Sequence, residues 1–415
     1  MTTSQPAALS HLKVLDLSRV LAGPWCTQML ADLGADVIKV ERPGEGDDTR
    51  HWGPPFLKDA DGNDTPHATY FTACNRNKRS ITIDMAQPEG QELIRAMALQ
   101  SDVLVENFKV GGLKQYGLDY DSLKALNPRL IYCSVTGFGQ DGPYAERAGY
   151  DLMIQAMSGL MSITGHADGQ PGGGPMRMGV ALIDILTGIY ACSAILAAVE
   201  ARHLSGQGQH IDMALLDVGM AVLANQAAGF LNTDRVPQRQ GNTHPSLAPY
   251  QTFDTADGAM LLAIGNDGQF ARFCEAAGRP EWALDARFAS NSLRVANREA
   301  LIALMLEVTR TRTTAQWISL LEDKAVPCGP INDMAQAFAD AQVQARGLIV
   351  RQPVVSGTHA QASQIATVAS PLRLVDTPTV LHRPPPRLGE HTDEVLAELG
   401  LDAQAIAGLR QRGVV

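Results

Sequence analysis

One carboxylate, Asp184, stands near the start of the apolar run GVALIDILTGIYACSAILAAV at residues 179–199. A lone ionised carboxylate is costly to bury unless it is paired, hydrogen-bonded or neutralised. If a helix begins at Ile185, Asp184 is its N-cap, a favoured place for aspartate. The other reading comes from its helical neighbours. Thr187, Gly188 and Ala191 follow at three, four and seven positions, and Ala181 precedes by three, so they share its face. That small face leaves room for a reacting group, and a partly desolvated carboxylate is a competent nucleophile. Spacing leaves both readings open.

Cations recur at the ends of apolar runs. Arg42 lies just past one, in VERPGEG, and Arg76, Lys78 and Arg79 lie just before another, in NRNKRS. Two basic clusters on an acidic chain suit a phosphate-bearing ligand. Asn107 and Phe108 close DVLVENF, where the ring either stacks on a base or fills core. LAGPW at 21–25 joins a strand to a helix start, a place where anions bind. GFGQDG at 137–142 matches G-x-G-x-x-G, but PYAERAGYD follows it. The dinucleotide fingerprint needs a helix opening on its glycines, so the stretch is read as a loop. The ten histidines show no metal-ligand spacing, and no G-x-S-x-G is present, so metal or serine hydrolysis has no support. His244 falls in a Gly/Pro loop, GNTHPSLAPY.

These residues need a scaffold, and the pattern supplies one. The runs LKVLDLS, DVIKVE, RSITID, DVLVEN and RLIYCSVTGFG alternate with helical stretches over the first 140 residues. Such alternation indicates βαβ units around a parallel sheet, whose ligands bind at the strands' carboxyl ends. From 151 to 203 the chain reads as helical, and IDMALLDVGMAVLANQAAGFL at 211–231 reads as a further long helix. YQTFDTADGAMLLAIG reads as a hairpin turning at ADG, and PVVSGTHAQASQIATVASPLRL at 353–374 as a strand-like return.

The bulk composition agrees. The 415 residues are 45% hydrophobic and 19% charged, with a net charge of -10. That is a globular composition with room for two or three domains, and an acidic chain is a poor nucleic-acid binder. Six scattered cysteines form no C-x-x-C and read as buried free thiols. The first residues show no secretory signal, so a cytoplasmic protein is expected. The apolar run at 179–199 approaches a membrane span in length, but it carries polar residues and stands alone, so it reads as a core helix.

Several stretches in order, among them LSRVLAGPWCTQMLADLGADVIKVERPGEGDDTR, NRNKRSI, DVLVENF, RAGYDLMIQAMSGLMSITG, GVALIDILTG and PPPRLGEHTDEVL, resemble the class III CoA transferases, the CaiB/BaiF family. The resemblance runs from about residue 12 to 395. It implies an α/β fold: a Rossmann-like large domain over 1–200 completed by 331–415, a linker helix at 201–225, and a smaller α+β domain over 226–330. It also implies an interlocked homodimer. Asp184 matches the family's catalytic aspartate, which forms an acyl anhydride and then an aspartyl–CoA thioester.

The same resemblance assigns CoA contacts. Arg42 matches an arginine near the nucleotide phosphates, Leu21 and Ala22 a backbone contact, and Ile83 the adenine wall. Asn107, Phe108 and Lys109 match the segment along the ADP and pantetheine, and Arg147 to Tyr150 a closing loop. Gln115 stands where the family often has arginine, and Asp151 where some members have a glutamate near the reacting centre. CoA is then a substrate, with no permanent cofactor and no metal. The expected partners are acyl-CoA and a carboxylic acid, with no nucleic acid or membrane.

Two departures bear on substrate. RQGNTHPSLAPY at 239–250 replaces the glycine run of formyl-CoA transferases, which argues against a formyl/oxalate assignment and leaves a formyl-CoA/carnitine-type transferase as an alternative. Tyr150 stands where α-methylacyl-CoA racemases carry a histidine, which argues against racemase chemistry. The closest branch moves CoA from succinyl-CoA to a dicarboxylate such as glutarate or itaconate. A second carboxylate needs a cation, and Arg177, Arg239 and His244 are candidates by loop position.

Overall fold

Strands buried on both faces read as apolar runs, and the computed structural model, which describes residues 6–59, 61–353 and 364–415, places five such strands and a sixth, less buried one side by side. They are β1 (Lys13–Asp16), β2 (Asp36–Glu41), β3 (Lys78–Thr82), β4 (Val103–Glu106), β5 (Ile131–Thr136) and β6 (His210–Ala214). All pairs are parallel, in the spatial order β3-β2-β1-β4-β5-β6. This is the doubly wound Rossmann order, and it reverses direction between β1 and β4.

Helices cover both faces of the sheet. On one face Val14, Val37, Val103, Ile131 and Val135 pack with α1 (Ala22–Asp32) and with the long helix Leu182–Ser205. On the other, Leu15, Val40, Ile81, Leu104 and Tyr132 pack with Pro88–Leu99 and with the C-terminal helices Thr392–Glu398 and Ala403–Gln411. Each large aliphatic side chain so buried contributes about 1.5–3 kcal/mol.

The chain divides into two compact units. The first comprises residues 1–160, 178–228 and 344–415, and the second 161–177 and 229–343. The second unit has its own core, with Phe253, Met260, Leu262, Phe273 and Trp317 at its centre. Its hairpin Tyr250–Asp254/Ala259–Ala263 forms as the pattern predicts. The division differs from the expected boundaries, because 161–177 joins the second unit and that unit runs on to 343. The expected linker helix at 201–225 is also broken. Its middle is β6, which pairs with β5 from Tyr132↔His210 to Thr136↔Ala214, followed by the helices Leu215–Ala221 and Ala224–Thr233. Pairing to a distant strand overrides the helical periodicity of 211–231. The return segment forms a hairpin, Ile349–Pro353 with Gln364–Val368, and residues 354–363 lie outside the described residues.

The helix Leu182–Ser205 is long and apolar enough to cross a membrane. It packs instead on α1 and the sheet through Ile183, Ala191, Cys192, Ile195 and Val199. Its small face serves that packing. A Cβ on Gly188 would lie 2.7 Å from the Ala22 carbonyl oxygen and 2.9 Å from the Trp25 Cβ, and Thr187 and Ala191 are fully buried. The room that Thr187, Gly188 and Ala191 were expected to leave for a reacting group is therefore filled by α1. All six cysteines are free, and five are buried.

Candidate active site

A cavity of about 890 Å³ opens at the carboxyl ends of the strands, around the switch between β1 and β4. The turn after β1 is braced from below. Asp16, fully buried, accepts from the Ser18 N–H and hydroxyl, from the Thr27 hydroxyl at 2.6 Å and from Lys78 Nζ at 3.0 Å. Lys39 Nζ, fully buried, donates to the Ser18 carbonyl at 2.8 Å and pairs with Asp47 at 2.9 Å. Burial alone would depress the Lys39 pKa, but Asp47, Asp16 and Glu41 outweigh it and hold it above its ordinary value. Burial likewise works against the Asp47 carboxylate, and Lys39 with the Thr49 N–H still brings it down to about 2.

Asp47 accepts from the Val20 N–H at 3.3 Å. Val20 has φ +72°, a left-handed conformation that a β-branched residue adopts only under constraint. Across the switch point the Asn107 carboxamide closes a two-way bond with the backbone of Arg19, accepting at 2.9 Å and donating at 2.7 Å. The β1 and β4 ends are thus tied together.

The candidate residues converge on this cavity. Leu21 and Ala22 come from the turn into α1, Arg42 from the loop after β2, and Ile83 from beyond β3. Asn107, Phe108 and Lys109 come from beyond β4, with Gln115 from the short 3-10 helix Lys114–Tyr116 that follows. Arg147 and Tyr150 come from the loop before helix Asp151–Met157. All ten line one wall system with Asp184. The glycines of GFGQDG serve a loop. A Cβ on Gly137 would fall 2.5 Å from the Gly149 Cα, and this close approach sets the 147–150 loop over the β5 end.

Asp184 lies on the third residue of its helix, whose N-cap is Ala181. The expectation of an N-cap at Asp184 is therefore displaced by three residues, and the capping is done from elsewhere. The buried Asp151 carboxylate accepts from the N–H groups of Ile183 at 2.8 Å and Asp184 at 3.2 Å, and from Gln155 Nε2 at 2.5 Å. Gln155 in turn accepts from the Met178 N–H. Burial and then the Asp151 charge push the Asp184 carboxyl up to about 7. Burial and then the Asp184 charge push the Tyr70 phenol up to about 12, so Tyr70 stays neutral nearby.

Three further residues were not singled out in the sequence. Arg19 lines the cavity, lies 5.5 Å over the Phe108 ring and pairs with Asp48. Trp52 also lines it, edge-on to Tyr70 at 5.4 Å. Asp47 is the third. Only Arg19 carried a readable signal, as a cation just past a strand end.

The NRNKRS cations do not form a phosphate site. Arg76 pairs with Asp32, Lys78 with Asp16, and Arg79 with Asp36, Glu394 and Glu398. Arg177, Arg239 and His244 belong to the second unit. Arg239 pairs with Asp168 and donates to the Ser162 and His166 carbonyls, so it braces its own loop. His244 accepts from the Ser246 N–H and packs its ring 5.1 Å from Tyr250. Arg177 is exposed.

The fold and cavity define an α/β protein with a nucleotide-sized site at its strand ends and a protonatable carboxylate in the wall. The chain belongs to CoA-transferase family III, which it matches over residues 9–392. It is 53% identical over 391 residues to a succinate–glutarate CoA-transferase of Agrobacterium fabrum, covering 94% of this chain and 95% of that protein. It is 42% identical over 408 residues to the succinyl-CoA:glutarate CoA-transferase of Homo sapiens, covering 98% and 90%. A crystal structure of a CaiB/BaiF family protein from Brucella suis superposes with a TM-score of 0.83 at 51% identity, covering 95% of this chain and all of that one.

Proposed function

We propose that this protein transfers CoA from an acyl-CoA donor, succinyl-CoA foremost, to a dicarboxylic acid such as glutarate, with Asp184 as the covalent relay. The observation that carries this reading is that Asp184 shares one cavity wall with all ten residues matched to CoA contacts. The Asp184 carboxylate attacks the donor thioester carbonyl. The C–S bond breaks, the CoA thiolate leaves and a mixed anhydride forms. The thiolate then attacks the Asp184 carbonyl carbon and expels the donor acid, leaving an aspartyl–CoA thioester. The acceptor carboxylate attacks that carbonyl, and the released thiolate takes the new acyl group and frees Asp184. No proton or electron is gained or lost, so the reaction as written needs no resident cofactor. Splitting one exchange into covalent steps lowers each barrier.

Arg42 and Arg19 supply charge for the nucleotide phosphates, and Phe108 an aromatic face. Arg177, Arg239 and His244 stand as candidate cations for the acceptor's far carboxylate, with Arg239 already engaged in its own loop. The protein works as a homodimer of interlocked subunits. In support, large apolar side chains are exposed on both helices: Ile189, Tyr190 and, at 86%, Leu204 on Leu182–Ser205, and Phe230 and, at 75%, Leu231 on Ala224–Thr233. Free thiols agree with a cytoplasmic setting.

The test incubates the enzyme with succinyl-CoA and a panel of mono- and dicarboxylic acids and reads new acyl-CoAs by mass. New thioesters are expected for dicarboxylates, and none for any acid in Asp184→Ala. A wild-type enzyme that makes no new thioester overturns the reading.

A further inference from the structure

A second polar chamber of about 230 Å³ lies behind the β4 end and shares Lys109 and Val110 with the large cavity. At its floor the side chains of Glu106, Ser134 and His210, from neighbouring strands, lie together. Glu106, on β4, faces Ser134, on β5, in direct register. One Glu106 carboxylate oxygen accepts from the Phe108 N–H at 2.7 Å. The Ser134 side chain lies beside the carboxylate and partly offsets the effect of its burial, and Ser134 Oγ lies 2.9 Å from His210 Nε2. The His210 ring is fixed between aromatic rings, stacked on Tyr120 at 4.7 Å and edge-on to Tyr132 at 5.6 Å.

We infer that Glu106 is a positioning residue for CoA binding, holding the Asn107–Lys109 segment in place through the Phe108 N–H, with Ser134 in register beside it. The consequence reaches the cavity because the next residues face it. Asn107 ties down the Arg19 backbone, and Phe108 carries the Arg19 guanidinium. A carboxylate accepting from a backbone N–H holds it more firmly than a neutral acceptor does.

Burial pushes the Glu106 carboxyl up to about 7, and burial lowers the pKa of His210 against the pull of Asp212 and Asp121. Lys109, Lys114, Asp119 and Asp121 are the other charged groups facing the chamber. The brace is therefore firmest above neutral pH.

This inference rests on the proposed CoA site, and calorimetric titration of CoA into the protein separates the two. Wild type that binds no CoA defeats the proposed site itself. With wild type binding, Glu106→Ala is expected to weaken CoA about tenfold and to raise the acyl-CoA KM equally, with kcat within twofold. Glu106→Gln keeps an acceptor for the Phe108 N–H and is expected to restore affinity to within about threefold. If Glu106→Ala does not fold, Ser134→Ala carries the same test with a two- to fourfold weakening. A folded Glu106→Ala or Ser134→Ala that binds CoA as wild type does, or a loss in kcat at unchanged KM, overturns the inference.

Discussion

The Asp151 carboxylate accepts from the backbone N–H groups of both Ile183 and Asp184, so one aspartate fixes the helix turn that carries the other. Helix N-termini leave N–H groups without intrahelical partners, and here a residue from another helix satisfies two of them. The arrangement has an electrostatic price, since the same negative charge raises the Asp184 pKa.

Removing the charge while keeping the acceptor separates these two effects. Asp151→Asn can still accept from both N–H groups, but it no longer repels a charge on Asp184. Because burial is the larger cause of the raised pKa, the acid limb of kcat/KM is expected to move down by on the order of half a pH unit. Asp151→Ala also loses the cap, at about 1 kcal/mol, and frees the backbone of the proposed nucleophile. Its kcat is expected to fall about 10- to 100-fold, the scale of a misplaced reacting group. A pH–rate profile of the two variants beside wild type checks both. An Asn variant whose acid limb stays in place removes Asp151 from the account of the Asp184 pKa.

Asp184 itself should make folding stability depend on pH in a defined direction. Its carboxyl sits at about 7 in the fold against an ordinary 3.8, so the native state favours the protonated form. That contribution is complete below the unfolded value and is lost as pH rises through 7. Asp184→Asn mimics the protonated form at every pH. The variant and wild type are expected to unfold at similar denaturant at pH 4. At pH 8 the variant is expected to be more stable by about 1–3 kcal/mol. Urea unfolding at both values decides it, and a wild type that gains on the variant as pH rises contradicts the burial of Asp184. Active sites commonly trade stability for reactivity in this way.

The strands and the helix that bears Asp184 were legible because their burial is written locally, as apolar runs and spacing. What escaped was written at a distance. The cations of NRNKRS look free in sequence, yet their partners Asp32, Asp16 and Glu394 lie 44 to 315 residues away. Ile211–Ala214 looks helical until β5 pairs with it. The cap on the helix that bears Asp184 comes from Asp151, 32 residues upstream of Ile183, where no local rule for caps would find it. The small residues beside Asp184 were correctly placed on one face, but periodicity could not say that α1 would occupy it.

The buried pair below the switch point offers a test that separates folding from positioning. Asp47→Ala leaves Lys39 fully buried without its nearest carboxylate, and breaking such a pair from one side costs about 3–5 kcal/mol. It also frees the Val20 N–H, at a residue whose left-handed backbone needs holding. The double variant Lys39→Met with Asp47→Leu removes both charges and keeps apolar bulk, which is often neutral to stability. Stability by urea unfolding is therefore expected to fall in the single variant and to return in the double one. The KM for acyl-CoA is expected to stay raised in both, because neither restores an acceptor for Val20. A double variant with wild-type KM shows that Asp47 serves only the ion pair, and that the β1 turn holds its shape without it.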